Sequence, residues 1–265
     1  MCELTMREFA VTFDGSLEGF LCIVHAYYYE KILPVSISSE HAGGSGSAFQ
    51  NMLWAEEYYI ATDSQKAVKV QKAVRDKISS QAEHYLNYAF LADKIEYMNL
   101  FRYLILGFKL GESVDCHLQT DYVLAIHKNA RYVGREAHLL TGFCRFAEVK
   151  MGEGKLYYCN ISPVNNVLEI LAEHFSDRMM NQAWVIYDKK RKIAAVYNGN
   201  HYVIGSAPNI NDLEYSDSES QIQELWKTFF HSLAIKQRTN KKLQRNHVPL
   251  HFRRSMLEFK SGYSK

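Results

Sequence analysis

The sequence is poor in proline, has no paired cysteines and no long apolar run, and lacks any acidic residue over one C-terminal stretch. Only 4 of its 265 residues are proline, while 47% are hydrophobic and 13% aromatic. That balance argues for regular elements around a packed core, and against global disorder or long linkers. The length fits one large domain or two small ones. No stretch approaches the roughly 18 apolar residues of a membrane span, so no membrane association is expected. Residues Met1 to Phe13 include Glu3 and Glu8 and no continuous apolar segment. No secretory leader is therefore expected, and the cytoplasm is the expected compartment. Cys2, Cys22, Cys116, Cys144 and Cys159 are odd in number, scattered, and form no Cys-x-x-Cys pair. A disulfide framework is excluded on that pattern, and each is expected as a small buried hydrophobe.

Several chemical signatures are missing as well. There is no His-Glu-x-x-His, no four-cysteine set and no Gly-x-Ser-x-Gly elbow. Gly43-Gly44-Ser45-Gly46 lacks the Lys-Ser/Thr ending and the preceding apolar strand of a phosphate loop. Asp115 and His117, beside Cys116, are two ligand types at close spacing, but no second cluster completes a metal site. No metal and no cofactor are expected.

Periodicity gives the elements. Residues 9–13 suit a short strand, and Asp14-Gly15-Ser16 a turn and cap. Leu17, Phe20, Leu21, Val24 and Tyr28 then recur at helical spacing. Residues 36–47, rich in Ser and Gly, read as a loop. A second helix opens at the capping box Thr62-Asp63-Ser64-Gln65, a third covers about Gln81 to Leu91, and a fourth stops at Gly111. The fifth is the clearest, with Val123, Ile126, Ala130, Val133, Ala137 and Leu140 on one face. Strand patterns follow at 145–149 and 156–161, flanking Gly152-Glu153-Gly154 as a hairpin. Residues 165–175 read as a short helix, and 184–187, 193–197 and 202–204 as a meander. In that meander Trp184, Tyr187 and Tyr197 are of the type that stacks on bases, though the strand pattern favours core packing. A last helix, capped near Ser218, carries Ile222, Leu225, Trp226, Phe229, Phe230 and Leu233 as its expected core stripe. The expected fold class is α+β: an N-terminal helical cluster packed with an antiparallel sheet, and a long C-terminal helix followed by a basic tail. A single domain over 6–259 is expected, divisible into a mainly helical 6–143 and a sheet-plus-helix 144–259.

Charge is segregated. Leu225 to Leu257 holds no Asp or Glu but eight Lys and Arg, so with a net charge of +2 the rest of the chain is net negative. Within the tract Lys236, Arg238, Lys241, Lys242 and Arg245 are interleaved with Asn240, Gln244 and Asn246. Cations neutralise phosphates and amides reach sugars or base edges, so this pattern fits a polyanion surface. It equally fits a solvated helix end, where the dipole favours cations. On the fifth helix Lys128, Arg131, Arg135 and His138 share the face opposite the apolar stripe, with Arg145 soon after. They are either a second phosphate-tracking row or an ordinary solvent face. Glu136, His138, Asp177 and Asp188 are the candidate acid–base groups. Asp177-Arg178 follows His174 at a helix end, where caps and ion pairs are the commoner roles.

Seven separated motifs fall in order along the chain. They are Phe13-Asp14-Gly15-Ser16-Leu17-Glu18-Gly19-Phe20-Leu21, Gly107-Phe108-Lys109-Leu110-Gly111, Arg135-Glu136-Ala137-His138 leading to Gly142-Phe143-Cys144-Arg145-Phe146, His174-Phe175-Ser176-Asp177-Arg178, Trp184-Val185-Ile186-Tyr187-Asp188, Leu225-Trp226-Lys227-Thr228-Phe229-Phe230, and Ile235-Lys236-Gln237-Arg238 continuing to Asn240, Lys242, Leu243, Gln244 and Arg245. Together they resemble a bacterial domain family of unknown function associated with DNA metabolism and DNA repair. The resemblance implies DNA as a partner, together with a radical-SAM protein encoded nearby. Related versions are fused to a uracil-DNA-glycosylase-like domain. It carries over no catalytic residue. After Pro249 the family's aromatic pair is replaced here by His251-Phe252, which removes the basis for a stacking role there. The expected function is thus a DNA-binding accessory to a radical-SAM or glycosylase-like partner. An enzyme acting on DNA near His138 and Asp177, or a protein-docking scaffold without DNA contact, are the alternatives.

Overall fold

The computed structural model describes residues 6–40, 56–151, 154–208, 214–233 and 235–259. The chain divides into two units, residues 1–133 and 134–265. The fold is α+β in both.

Unit 1 is built on a three-stranded sheet, ordered β2-β1-β3, from β1 (Arg7–Phe13), β2 (Ile32–Ser39) and β3 (Glu56–Tyr59). Both pairings are parallel. A parallel pair requires a crossover, and α1 (Leu17–Tyr29) supplies it between β1 and β2. Pro34 has no N–H for the ladder, and the β1–β2 register slips next to it, between Phe9 and Ala10. Residues 36–39, expected as loop, are thus strand. Parallel pairing lets their Ser side chains sit on an edge strand, which composition alone reads as loop. Residues 41–47 of that expected loop lie outside the described residues.

The turn before α1 shows why the first motif holds. Ser16 caps the helix by accepting from Gly19 N–H at 2.9 Å, and Asp14 Oδ1 accepts from the Ser16 N–H and hydroxyl at 2.9 and 2.7 Å. Thr62 donates to Asp14 Oδ2 at 2.7 Å, and Ser64 to Glu18 at 2.7 Å. A Cβ on Gly19 would intrude on Asp14 and Thr62, so only glycine lets α1 pass so close. The helices α2 (Ser64–Lys77), α3 (Ser80–Phe90) and α4 (Tyr97–Leu110) follow. The cap of α2 is Asp63, one residue later than the expected Thr62, whose hydroxyl is taken by Asp14. Gly111, at φ +62°, ends α4. Phe13 and Phe20 in the core form an aromatic cluster with the partly buried Phe90 and Tyr97 packed against it.

The long helix α5 (Asp121–Phe143) begins in unit 1 and ends in unit 2. Every member of its apolar stripe, from Val123 to Leu140, is buried.

Unit 2 holds a five-stranded sheet in sequential order: β4 (Ala147–Met151), β5 (Gly154–Ile161), β6 (Trp184–Asp188), β7 (Ile193–Tyr197) and β8 (Tyr202–Ser206). All pairings are antiparallel except β5–β6, which α6 (Leu168–Arg178) joins. The sheet of unit 1 is thus parallel, and the antiparallel pairings lie in unit 2. The β4–β5 hairpin pairs as expected, with residues 152–153 of its turn outside the described residues. All five residues of β6 are buried, as a central strand covered on both faces must be. Trp184 stacks on Tyr197 at 5.1 Å, and Tyr187 belongs to the cluster on the other face. These rings are core, and none is available to a base. After the sheet come α7 (Glu219–Leu233), a 3-10 turn at Lys236–Arg238, α8 (Lys241–His247), α9 (Leu250–Arg253) and a 3-10 turn at Leu257–Phe259.

Cys22 and Cys159 are buried, whereas Cys144 is half-buried and Cys116 exposed. The last two depart from the expectation at helix ends: Cys116 closes the 3-10 turn Gly111–Cys116, and Cys144 follows the last residue of the helix Asp121–Phe143. Cys2 lies outside the described residues. Among the described residues no helix is long and apolar enough to cross a membrane.

Candidate nucleic-acid interface

The stripe that buries α5 dictates where its cations go. With Val123, Ile126, Ala130, Val133 and Ala137 inward, Lys128, Arg131, Arg135 and His138 are turned out and all four are exposed. None of the three basic residues has a carboxylate partner among the described residues.

The acid-free segment is more exposed still. α8 is capped by Asn240, which accepts from Leu243 N–H at 3.0 Å, and none of its residues is buried. Lys241, Lys242 and Arg245 on it, and Arg238 before it, are exposed and lack a carboxylate partner among the described residues. Lys236 is described in its backbone only. α7 departs most from the sequence pattern. Its stripe is not core: Ile222, Leu225, Trp226, Phe229 and Leu233 are all exposed, Leu225 at 69%. Phe230 is half-buried, edge-on to Phe259 at 6.1 Å. Glu219 is the buried residue of α7, accepting from Glu148 N–H at 2.9 Å and Gln223 at 2.8 Å.

Arg145 is differently placed from the other cations. It donates to Glu258 Oε1 at 2.7 Å and to the carbonyls of Gly142 and Cys144 at 2.8 and 3.1 Å. Its guanidinium also lies over the Trp226 ring, 5.4 Å from the centroid. Trp226 donates to the second oxygen of Glu258 at 3.3 Å. Burial alone would raise the Glu258 carboxyl, but Arg145 and Trp226 outweigh it and hold it below the usual carboxylate range. Glu258 is 2% exposed, so Arg145 cannot turn to a phosphate without stranding a buried charge. It fastens the C-terminal segment; the free cations lie on either side of it in sequence. A cleft of about 260 Å³ adjoins this clamp, with Asn160, Glu219 and Lys227 among its walls.

The acid–base candidates do not converge. Glu136 is buried and accepts from Val164 N–H, Asn165 N–H and the Asn165 amide, all within 2.8 Å. It ties down the loop before α6. His251 approaches it at 4.0 Å from the exposed side. Asp188 is fully buried, accepting from Lys190 and Arg191 N–H and pairing with the Arg191 guanidinium at 3.0 Å. It shapes the β6–β7 turn. His138 and Asp177 are exposed, and neither lines the 260 Å³ cleft. The Asp115–His117 pair is separated too. Asp115 takes His127 at 2.9 Å and Tyr103 at 2.8 Å, while His117 meets the Ser113 carbonyl at 2.8 Å. Among the described residues no three His, Cys, Asp or Glu side chains are grouped to hold a metal ion.

Sequence reasoning missed the bare face of α7. The signal was present: its outer stripe is as apolar as a core stripe, yet it runs into a tract whose cations must stay in water.

The profile of DUF4130, a domain of unknown function, matches residues 94–258, and the chain belongs to that family. No curated protein and no solved structure matches it.

Proposed function

We propose that this protein binds DNA as an accessory in a DNA-metabolism or repair system, with the acid-free C-terminal segment holding the phosphates. One observation carries the reading: Arg238, Lys241, Lys242 and Arg245 are exposed with no carboxylate partner among the described residues. Clustered cations of that kind repel one another and contribute nothing to the core. Their electrostatic cost is offset when a polyanion replaces their counter-ions, and the released ions drive binding. The outward row Lys128, Arg131 and Arg135 on α5 is a second surface of the same chemistry. The family resemblance supports DNA as the polyanion. It also supports a division of labour in which a radical-SAM or glycosylase-like partner performs the chemistry on DNA that this chain holds. The test is the charge reversal K241E/K242E/R245E, measured by fluorescence anisotropy on labelled duplex at about 100 mM salt. Binding is expected to weaken by about a hundredfold or more with an unchanged melting temperature. Equal affinity of variant and parent contradicts the reading.

The exposed apolar face of α7 favours a second reading, a docking surface for a protein partner. Co-purification of the radical-SAM partner that survives nuclease and high salt, and is lost in Leu225→Asp/Phe229→Asp, supports it. A complex indifferent to that variant removes α7 from the account.

A further inference from the structure

Unit 1 carries a cleft for which neither basic surface accounts. It has a volume of about 520 Å³ and lies where the end of α1 meets α2 and the end of α4. A neighbouring cavity of about 490 Å³ shares Tyr27 and Lys109 with it. No Asp or Glu lines either one. The cations are Lys69, Lys77 and Lys109, with Arg102 in the neighbouring cavity. All four are exposed and have no carboxylate partner among the described residues. Lys66 and Arg75 on the same helix α2 do have one, in Glu30 and Glu83.

The walls are aromatic and geometrically fixed. Tyr28 stands edge-on to Phe108 at 5.6 Å and to Tyr27 at 5.0 Å. Tyr29 stacks on His25 at 4.3 Å and 20°, yet is 76% exposed, so its second face is bare. His25 Nδ1 is buried with no hydrogen-bond partner. Burial first, then the charge of Lys66, holds this imidazole below its ordinary range.

We infer that this cleft binds a nucleoside phosphate, whose base extends the His25–Tyr29 stack and whose phosphate is held by Lys69, Lys77 and Lys109. Three unpaired cations without an acid select an anion and reject cationic ligands. The bare ring face of Tyr29 selects a planar group. The two demands meet in a base joined to a phosphate, and the volume lies within the roughly 300–1,000 Å³ of small-molecule sites. The ligand is either a free nucleotide or one nucleotide of a single strand.

Calorimetry on the full chain separates these cases, with dAMP, deoxyadenosine, inorganic phosphate and the deoxyadenylate tetranucleotide as probes. It is done in the K241E/K242E/R245E background, so that failure of the C-terminal reading and failure of this one are distinct. Saturable dAMP binding is expected, with deoxyadenosine and phosphate each roughly tenfold weaker or worse. Lys69→Ala/Lys77→Ala should reduce dAMP to the level of deoxyadenosine, and Tyr29→Ala to the level of phosphate, while Tyr29→Phe keeps parental affinity. These side chains are exposed, so the variants are expected to fold. A tetranucleotide binding far more tightly than dAMP identifies a strand as the source; equal affinities identify a free nucleotide. The inference is overturned if dAMP binds no better than phosphate, or if Lys69→Ala/Lys77→Ala leaves its affinity unchanged.

Discussion

Helices α5 and α7 read alike in sequence and end up with opposite surfaces. Each carries apolar residues at spacings of three and four over several turns. The α5 stripe is buried throughout, while in the α7 stripe Ile222, Leu225, Trp226, Phe229 and Leu233 are exposed and Phe230 is half-buried. The Val, Ile and Leu side chains of the α5 stripe each gain about 1.5–3 kcal/mol on burial; those exposed on α7 gain little among the described residues. α7 is attached through polar contacts, Glu219 to the β4 backbone and Trp226 to the Arg145–Glu258 pair, and through Phe230 against Phe259. Periodicity thus establishes that a helix has an apolar face. Whether anything in the same chain covers that face is decided by tertiary structure.

The comparison breaks most visibly at the centre of each stripe. Val133→Asp puts a charge at a fully buried position of α5 and should cost about 4 kcal/mol or more, enough to unfold the unit in chemical denaturation. Leu225→Asp on α7 should stay within about 0.5 kcal/mol of the parent. Similar losses for the two would mean that α7 is buried after all. Next in size is Arg145→Ala. It leaves Glu258 buried and unpaired, at an expected cost of about 3–5 kcal/mol, where Lys241→Ala should cost nothing measurable by thermal melting. The smallest effect is in pH. Because the folded Glu258 carboxyl lies below its ordinary range, its contribution is present above the unfolded carboxylate pKa and is lost as pH falls through the folded value, below about pH 4. Trp226 fluorescence should change over that acid window, and Glu258→Gln should abolish the change. A Trp226 signal flat through that window in the parent protein would show that the carboxylate does not hold the clamp.

Much of the fold was legible. The α+β class, the apolar face of α5, the β4–β5 hairpin and the β6–β7–β8 meander follow from periods of 3.6 and 2 and from Gly and Asn at the turns. β2 and β3 were not legible, since Ser36, Ser38 and Ser39 suggest loop, and Glu56-Glu57-Tyr58-Tyr59 has no buried face to alternate. Of the candidate site, exposed cations on α5 were readable because the opposite face is plainly apolar. The fate of Arg145 was not, since its partner Glu258 lies 113 residues away, just past the end of the acid-free tract. Glu136 and Asp188 likewise looked chemical in sequence and are anchors in structure, because the backbone N–H groups they bind belong to turns that no spacing rule specifies.

The claim that matters most is that the unpaired cations of the C-terminal segment hold phosphates. Its most direct test is the salt dependence of duplex binding in parent and K241E/K242E/R245E proteins. The account predicts affinity that falls steeply with salt in the parent, and a log–log slope shallower by about three, roughly one per reversed cation, in the variant. Parallel slopes of equal affinity in the two proteins would contradict it.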